Sequence, residues 1–181
     1  MLKAYHELEC EELAAISKKV LDFISAELAS DKKGWIFLDT KNLLLAVPEL
    51  MKFLKKLKLH PMEASITILY DDLPIHVDTL PVVAKINIPI QNTKGWVNRW
   101  YQLDTDVLNN CPNIVDRLEF TKKDVSGVVD KMTLLAELPD QPKAIVFNSA
   151  YPHSVIKLTP LEVPRVVLSI TLYKEPLELL R

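Results

Sequence analysis

The chain has four histidines, His6, His60, His76 and His153, and two of them stand where metal chemistry is conceivable. In Leu73-Pro-Ile-His-Val-Asp-Thr79, His76 and Asp78 are two residues apart. In an extended backbone, residues i and i+2 point to the same side, so one short strand end offers an imidazole and a carboxylate to a single ion. The same pair also fits a solvent-facing strand, because a His-x-Asp spacing is not specific by itself. His153, in Phe147-Asn-Ser-Ala-Tyr-Pro-His-Ser-Val155, follows Pro152 at the mouth of an expected strand. Convergence of His153 on His76 and Asp78 gives two imidazoles and one carboxylate on one face of the ion. That arrangement suits ferrous iron and leaves positions open for a chelating ligand and dioxygen.

Twelve residues beyond His153, Arg165 opens the run Arg165-Val-Val-Leu-Ser-Ile-Thr171. Alternation places Arg165, Val167, Ser169 and Thr171 on one face and Val166, Leu168 and Ile170 on the other. An arginine on an inward strand face is costly unless its charge is met. A carboxylate ligand meets it with two parallel hydrogen bonds, and the Ser169 hydroxyl is on the same face to support that group. The alternative is a surface Arg165 at a strand start, paired with Glu162 or with solvent.

The elements that must carry these residues are legible in outline. The 181 residues, 49% hydrophobic and 25% charged, describe one domain with enough apolar mass for a core, neither a disordered tail nor a disulfide-stapled miniprotein. Three glycines leave no cluster to cradle phosphates, which excludes dinucleotide-binding and P-loop folds. A formal net charge of −2 gives no general attraction to nucleic acid or anionic lipid. Cys10 and Cys111 form no CxxC pair, which fits a reducing compartment and argues against a thiolate zinc site. The acidic N-terminus and the lack of any apolar run near ~18–20 residues point to a cytoplasmic protein without a membrane span.

Apolar residues at three- and four-residue steps predict one amphipathic helix over Glu7–Ser30 and another from Pro48 through PELMKFLKKLKL. The lysines of the second are the solvated side of a packed helix rather than a phosphate-binding strip. Beyond Pro61 the character turns to strand. Expected strands are Ala64–Tyr70, Ile75–Asp78, Val82–Gln91, Val97–Gln102, Asp116–Phe120, Lys131–Leu138, Ala144–Phe147, Ser154–Leu158 and Arg165–Tyr173. So many short strands with so few intervening helices predict a mainly β, antiparallel sandwich or barrel with the helices packed outside one sheet.

The ordered set His76-Val77-Asp78, His153 and Arg165 resembles the Fe(II)- and 2-oxoglutarate-dependent oxygenases. Ala84-Lys-Ile-Asn-Ile-Pro-Ile90 looks like the strand after the first ligands in their small bacterial, phage-encoded and aspartyl/asparaginyl-hydroxylase-like members, and PRVVLSI looks like their final core strand. Asp78 departs from those aspartyl/asparaginyl β-hydroxylases that lack the carboxylate ligand. The likeness covers roughly Ser65 to Leu172. It implies a double-stranded β-helix (jelly-roll, cupin-like) core over 61–181, with 1–60 as mostly helical support, in a single oxygenase domain. It also implies catalytic metal ligation by His76, Asp78 and His153, and a salt bridge from Arg165 to the distal carboxylate of 2-oxoglutarate. Ser169, from its face, and Asn87 and Tyr70, from adjacency to the motif strands, are candidates to line the cosubstrate pocket. The implied reaction uses Fe(II), 2-oxoglutarate and O2, forms succinate and CO2, and hydroxylates a C–H bond of a further substrate.

The prime substrate, a small molecule or a protein side chain, is not named by the sequence. Trp96, Asn98, Arg99, Trp100, Tyr101 and Gln102 form a polar-aromatic cluster of the kind that lines clefts, with Arg99 and Trp100 as substrate candidates and Arg99 as an anionic anchor. The same aromatics also suit a sandwich edge. Two other classes compete: a cupin-type protein that binds a metal or small acid without turnover, and an interaction scaffold in which the His-x-Asp and distal His are coincidental.

Overall fold

The computed structural model describes residues 3–30, 32–76, 78, 84–103, 132–139, 142–160, 162–173 and 176–181. The expected strand Asp116–Phe120, and most of the substrate-selecting segment placed between Asn92 and Lys131, lie outside the described residues. Within them, in chain order, are β1 (Tyr5–Leu8), α1 (Leu13–Phe23), α2 (Ser25–Leu28), β2 (Gly34–Leu38), α3 (Thr40–Ala46), α4 (Pro48–Lys56), β3 (Pro61–Leu69), β4 (Leu73–His76), β5 (Ala84–Gln91), β6 (Trp96–Leu103), β7 (Met132–Pro139), β8 (Ala144–Asn148), β9 (His153–Lys157), β10 (Arg165–Leu172) and a 3₁₀ turn, Leu177–Leu180. The fold is mostly β. A six-stranded sheet runs β1-β8-β5-β10-β3-β2 and a four-stranded sheet β4-β9-β6-β7. Every pairing between neighbouring strands is antiparallel.

The large sheet has two unlike faces, and the difference explains where the site forms. Ala64, Ile66 and Ile68 of β3, Ile86 and Ile88 of β5, and Val166, Leu168 and Ile170 of β10 meet Ile16, Val20, Leu43, Leu50, Phe53 and Leu54 of the helices in one apolar cluster. The main core thus lies outside the sheet, under the helices, as the periodicities of α1 and α4 require. Alternation turns Ser65, Thr67, Lys85, Asn87, Arg165 and Ser169 to the opposite face, toward the small sheet. Burying each aliphatic side chain on the helix side contributes about 1.5–3 kcal/mol. Leu168 is wholly buried there. Leu168→Ala is therefore expected to lower stability by about 2–5 kcal/mol, seen as a lower urea midpoint at unchanged slope. A shift worth less than about 1 kcal/mol would contradict this placement of the core.

Two expectations for the N-terminal third need correction. The helix expected from Glu7 begins only at Leu13, because Tyr5–Leu8 pairs with Ala144–Phe147 as an edge strand and buries Leu8. The run Gly34-Trp-Ile-Phe-Leu38 is a strand rather than part of a helical support, paired with β3. Its start uses a positive φ of 83° at Gly34, which glycine adopts without strain. The α4 lysines are solvated as expected, and two of them pair with acids just before α1: Lys52 with Glu12 at 2.8 Å and Lys56 with Glu11 at 3.3 Å. No described helix is long and apolar enough to cross a membrane.

Candidate metal centre and its cleft

His76 ends β4 and His153 begins β9, and the two are direct cross-strand partners. The pairing is irregular between Leu73 and His76, a local distortion of the kind that re-aims a side chain. The two imidazoles sit 4.2 Å apart between ring centroids, tilted by 52°. Asp78 lies just beyond β4, where its backbone N–H donates to the Ser149 carbonyl at 3.2 Å. Its Oδ2 is 3.9 Å from His153 Nε2. One ligand atom from each of His76, Asp78 and His153 lies within 4.8 Å of the others, a spacing that accommodates one ion.

Both histidines are oriented by the backbone two residues earlier. His76 Nδ1 donates to the Pro74 carbonyl at 2.8 Å and His153 Nδ1 to the Tyr151 carbonyl at 2.9 Å. Such a bond fixes the proton on Nδ1 and leaves Nε2 as the nitrogen that could ligate a metal. Phe147 packs edge-on against His153, and Trp35 edge-on against His76. Burial, reinforced by neighbouring His76, lowers the His153 pKa from 6.5 to about 4. The buried imidazole is thus neutral, the form a metal needs.

A pH dependence follows for the metal-free protein. Between about pH 6.5 and about pH 4 the unfolded chain protonates His153 and the folded chain does not. Stability from this group is complete above 6.5 and falls as pH drops toward 4. Urea midpoints of the parent and of His153→Gln across that window are expected to converge as the pH falls. A constant gap between the two would contradict the assignment.

The three residues line a cleft of about 570 Å³, counting its part open to solvent. The cleft runs between the sheets, and its wall on the large sheet includes Ser65, Thr67, Lys85, Asn87, Arg165 and Ser169. Arg165 is 4% exposed, which rules out the surface alternative. Its Nη2 donates to Asn98 Oδ1 at 3.2 Å. Ser169 is flanked in register by Ser65 and Asn87, so three small polar side chains form a row across β3, β10 and β5. Asp78 is the only acid among the described cleft residues. Lys85 Nζ lies 3.1 Å from Asp78 Oδ1.

The cleft is chemically suited to a polar, anionic occupant beside a metal. Asn87 Oδ1 and Trp100 Nε1 are buried with no hydrogen-bond partner, and both residues line the cleft. A buried orphan polar atom costs about 1–3 kcal/mol, so an occupant that accepts from Trp100 Nε1–H and offers a donor to Asn87 Oδ1 is favoured there. The nitrogen, nitrogen and oxygen donor set matches ferrous iron with open positions.

His76, Asp78, His153, Arg165, Ser169, Asn87 and Trp100 are brought together around this cleft. Tyr70 and Arg99 are not. Tyr70, just past the end of β3, packs on the helical core beneath the Lys33 ammonium, which lies 4.8 Å from its ring centroid. Arg99 is on the outer face of β6, one residue from inward Trp100, and pairs with Glu137 at 2.7 Å, which raises its pKa. Lys85, Ser65 and Thr67 escaped the sequence reading, whereas Asn98 belongs to the polar-aromatic cluster it singled out. Their signal is present in retrospect: strands whose other face is wholly apolar carry polar residues at every second position.

No family model matches the chain, and no curated protein matches its sequence. Solved structures do match its fold. SnoK, a non-heme alpha ketoglutarate dependent carbocyclase from nogalamycin biosynthesis, aligns with a TM-score of 0.59 at 12% identity, over 94% of this chain and 79% of that one. The epimerase SnoN, in complex with Fe3+, alpha ketoglutarate and nogalamycin RO, aligns at 0.56 and 14% identity, over 97% and 82%. A Pseudomonas putida prolyl-4-hydroxylase aligns at 0.51 and 11% identity, over 94% and 92%. At these identities the likeness is one of fold: this chain shares its two-sheet architecture with non-heme, alpha ketoglutarate dependent enzymes.

Proposed function

We propose that the chain is an Fe(II)- and 2-oxoglutarate-dependent dioxygenase that hydroxylates a substrate still to be identified, with release of succinate and CO2. The observation that carries this reading is the convergence of His76, Asp78 and His153 in one cleft with buried Arg165. The jelly-roll form of the core is part of the proposal. It is supported by strand order: β3, β5, β8 and β10 lie in one sheet and β4, β6, β7 and β9 in the other, so the chain crosses repeatedly between them.

His76 and His153 would hold the metal through Nε2, each ring kept in place by its Nδ1–H bond to a backbone carbonyl. Asp78 would supply the anionic ligand. Arg165, steadied by Asn98, would take the distal carboxylate of 2-oxoglutarate with two parallel hydrogen bonds, and Ser169 would add a third donor. Buried Trp100 and Phe147 line the cleft beside the histidines and would keep water from the reacting bond. Bound iron would supply reductive activation of O2, with 2-oxoglutarate giving the remaining electrons as it decarboxylates. Atoms balance as substrate, 2-oxoglutarate and O2 giving hydroxylated substrate, succinate and CO2. Because the fold also serves a carbocyclase and an epimerase, product analysis must accompany turnover.

The test is succinate formation by protein loaded anaerobically with Fe(II), then given 2-oxoglutarate and O2 with panels of candidate substrates. Iron-dependent succinate, even slow and uncoupled, is expected. Binding of both iron and 2-oxoglutarate without any succinate would instead identify a non-catalytic, cupin-type binding protein.

A further inference from the structure

Lys85 has a place in the site that the proposed chemistry does not use. It is the second residue of β5, on the inner face with Asn87, between Thr171 of β10 and Phe147 of β8. Its ammonium lies 3.1 Å from Asp78 Oδ1, with the two side chains only 22% and 17% exposed. The other carboxylate oxygen, Oδ2, is the one near His153 Nε2. The two oxygens of Asp78 are therefore divided, one facing a cation that cannot ligate a metal and one facing the His153 imidazole.

That division bears on coordination number. A carboxylate with both oxygens available can bind an ion through both and consume an additional position. A carboxylate whose second oxygen is held by an ammonium is limited to one bond. We propose that Lys85 is a positioning residue that confines Asp78 to ligation through Oδ2 and so keeps a position open for the chelating keto acid. The inference rests on the reading of His76, Asp78 and His153 as a ferrous site. It assigns no ligand or proton-transfer role to Lys85 itself.

Lys85→Met keeps the stem and removes the charge, Lys85→Gln keeps a weaker donor, and Lys85→Arg keeps both charge and donor. The probes are Co(II), Fe(II) and 2-oxoglutarate, with circular dichroism to check folding. Lys85→Met is expected to bind metal at least as tightly as the parent, since a neighbouring cation has gone. With Fe(II) present it is expected to bind 2-oxoglutarate about tenfold more weakly, and its Co(II) visible spectrum should shift. Lys85→Arg should restore both properties, with Lys85→Gln in between. Unchanged 2-oxoglutarate affinity and an unchanged Co(II) spectrum in folded Lys85→Met would overturn the proposal, as would a loss of metal binding. Should Lys85→Met fail to fold, Lys85→Gln decides by the same criteria. A parent protein that binds no metal would instead remove the ferrous-site reading, and this inference with it.

Discussion

Arg165→Ala is expected to bind ferrous iron as the parent does and to bind 2-oxoglutarate roughly 30- to several-thousand-fold more weakly. The magnitude corresponds to the about 2–5 kcal/mol lost when one partner of a buried, hydrogen-bonded charge pair is truncated. Arg165 opens β10 at the opposite end of that strand from Thr171, the neighbour of Lys85, so it is removed from the proposed metal ligands. It is 4% exposed, with Asn98 holding one nitrogen of its guanidinium. Truncation leaves a cavity and removes one donor from Asn98 Oδ1, while β10 keeps its backbone pairing with β3 and β5, so the fold should survive. Arg165→Lys keeps a charge but loses the paired donors, and should recover only part of the affinity. Calorimetry with Fe(II)-loaded protein measures both variants. Equal 2-oxoglutarate affinity in Arg165→Ala and parent would show that the carboxylate anchor lies elsewhere.

His153→Ala is expected to lose stoichiometric Fe(II) binding, with affinity down by at least about 100-fold, and to lose succinate formation with it. Even outer groups that merely orient a ligand are worth about 10–100-fold, and His153 is placed as a ligand itself. His60→Ala is the matched control. His60 is exposed and its backbone carbonyl bonds to the Tyr173 amide, so its removal should leave iron binding unchanged. Retained iron in His153→Ala, or loss in His60→Ala, would contradict the site.

How much of this was legible in the sequence depended on parity. Where a strand is regular, alternation predicts the facing of each side chain, and Arg165, Ser169 and Asn87 all lie on the inward face. Arg99 and Trp100 are neighbours on β6 with opposite facings. Composition treats them as one cluster, and only the register with β7 and β9 separates them. A break in the β6–β7 register between Trp100 and Tyr101 further disrupts simple counting. Tyr70 stands just past β3, where adjacency to a motif strand no longer implies a shared face. The strand Gly34–Leu38 was missed because five residues between helices carry little periodic signal, and its stability comes from β3, far along the chain. Edge strand β1 is a stronger case, since its partner β8 is at the other end of the sequence. The backbone carbonyls of Pro74 and Tyr151 that orient the histidines have no residue-type signature at all.

The most direct test is the anaerobic visible spectrum of the protein titrated with Fe(II) and then with 2-oxoglutarate. A keto acid chelated to ferrous iron gives a charge-transfer band that neither component gives alone. One band, saturating at one iron and one 2-oxoglutarate per chain and absent from His153→Ala, is the predicted result. No band at saturating concentrations of both would contradict the account at its centre.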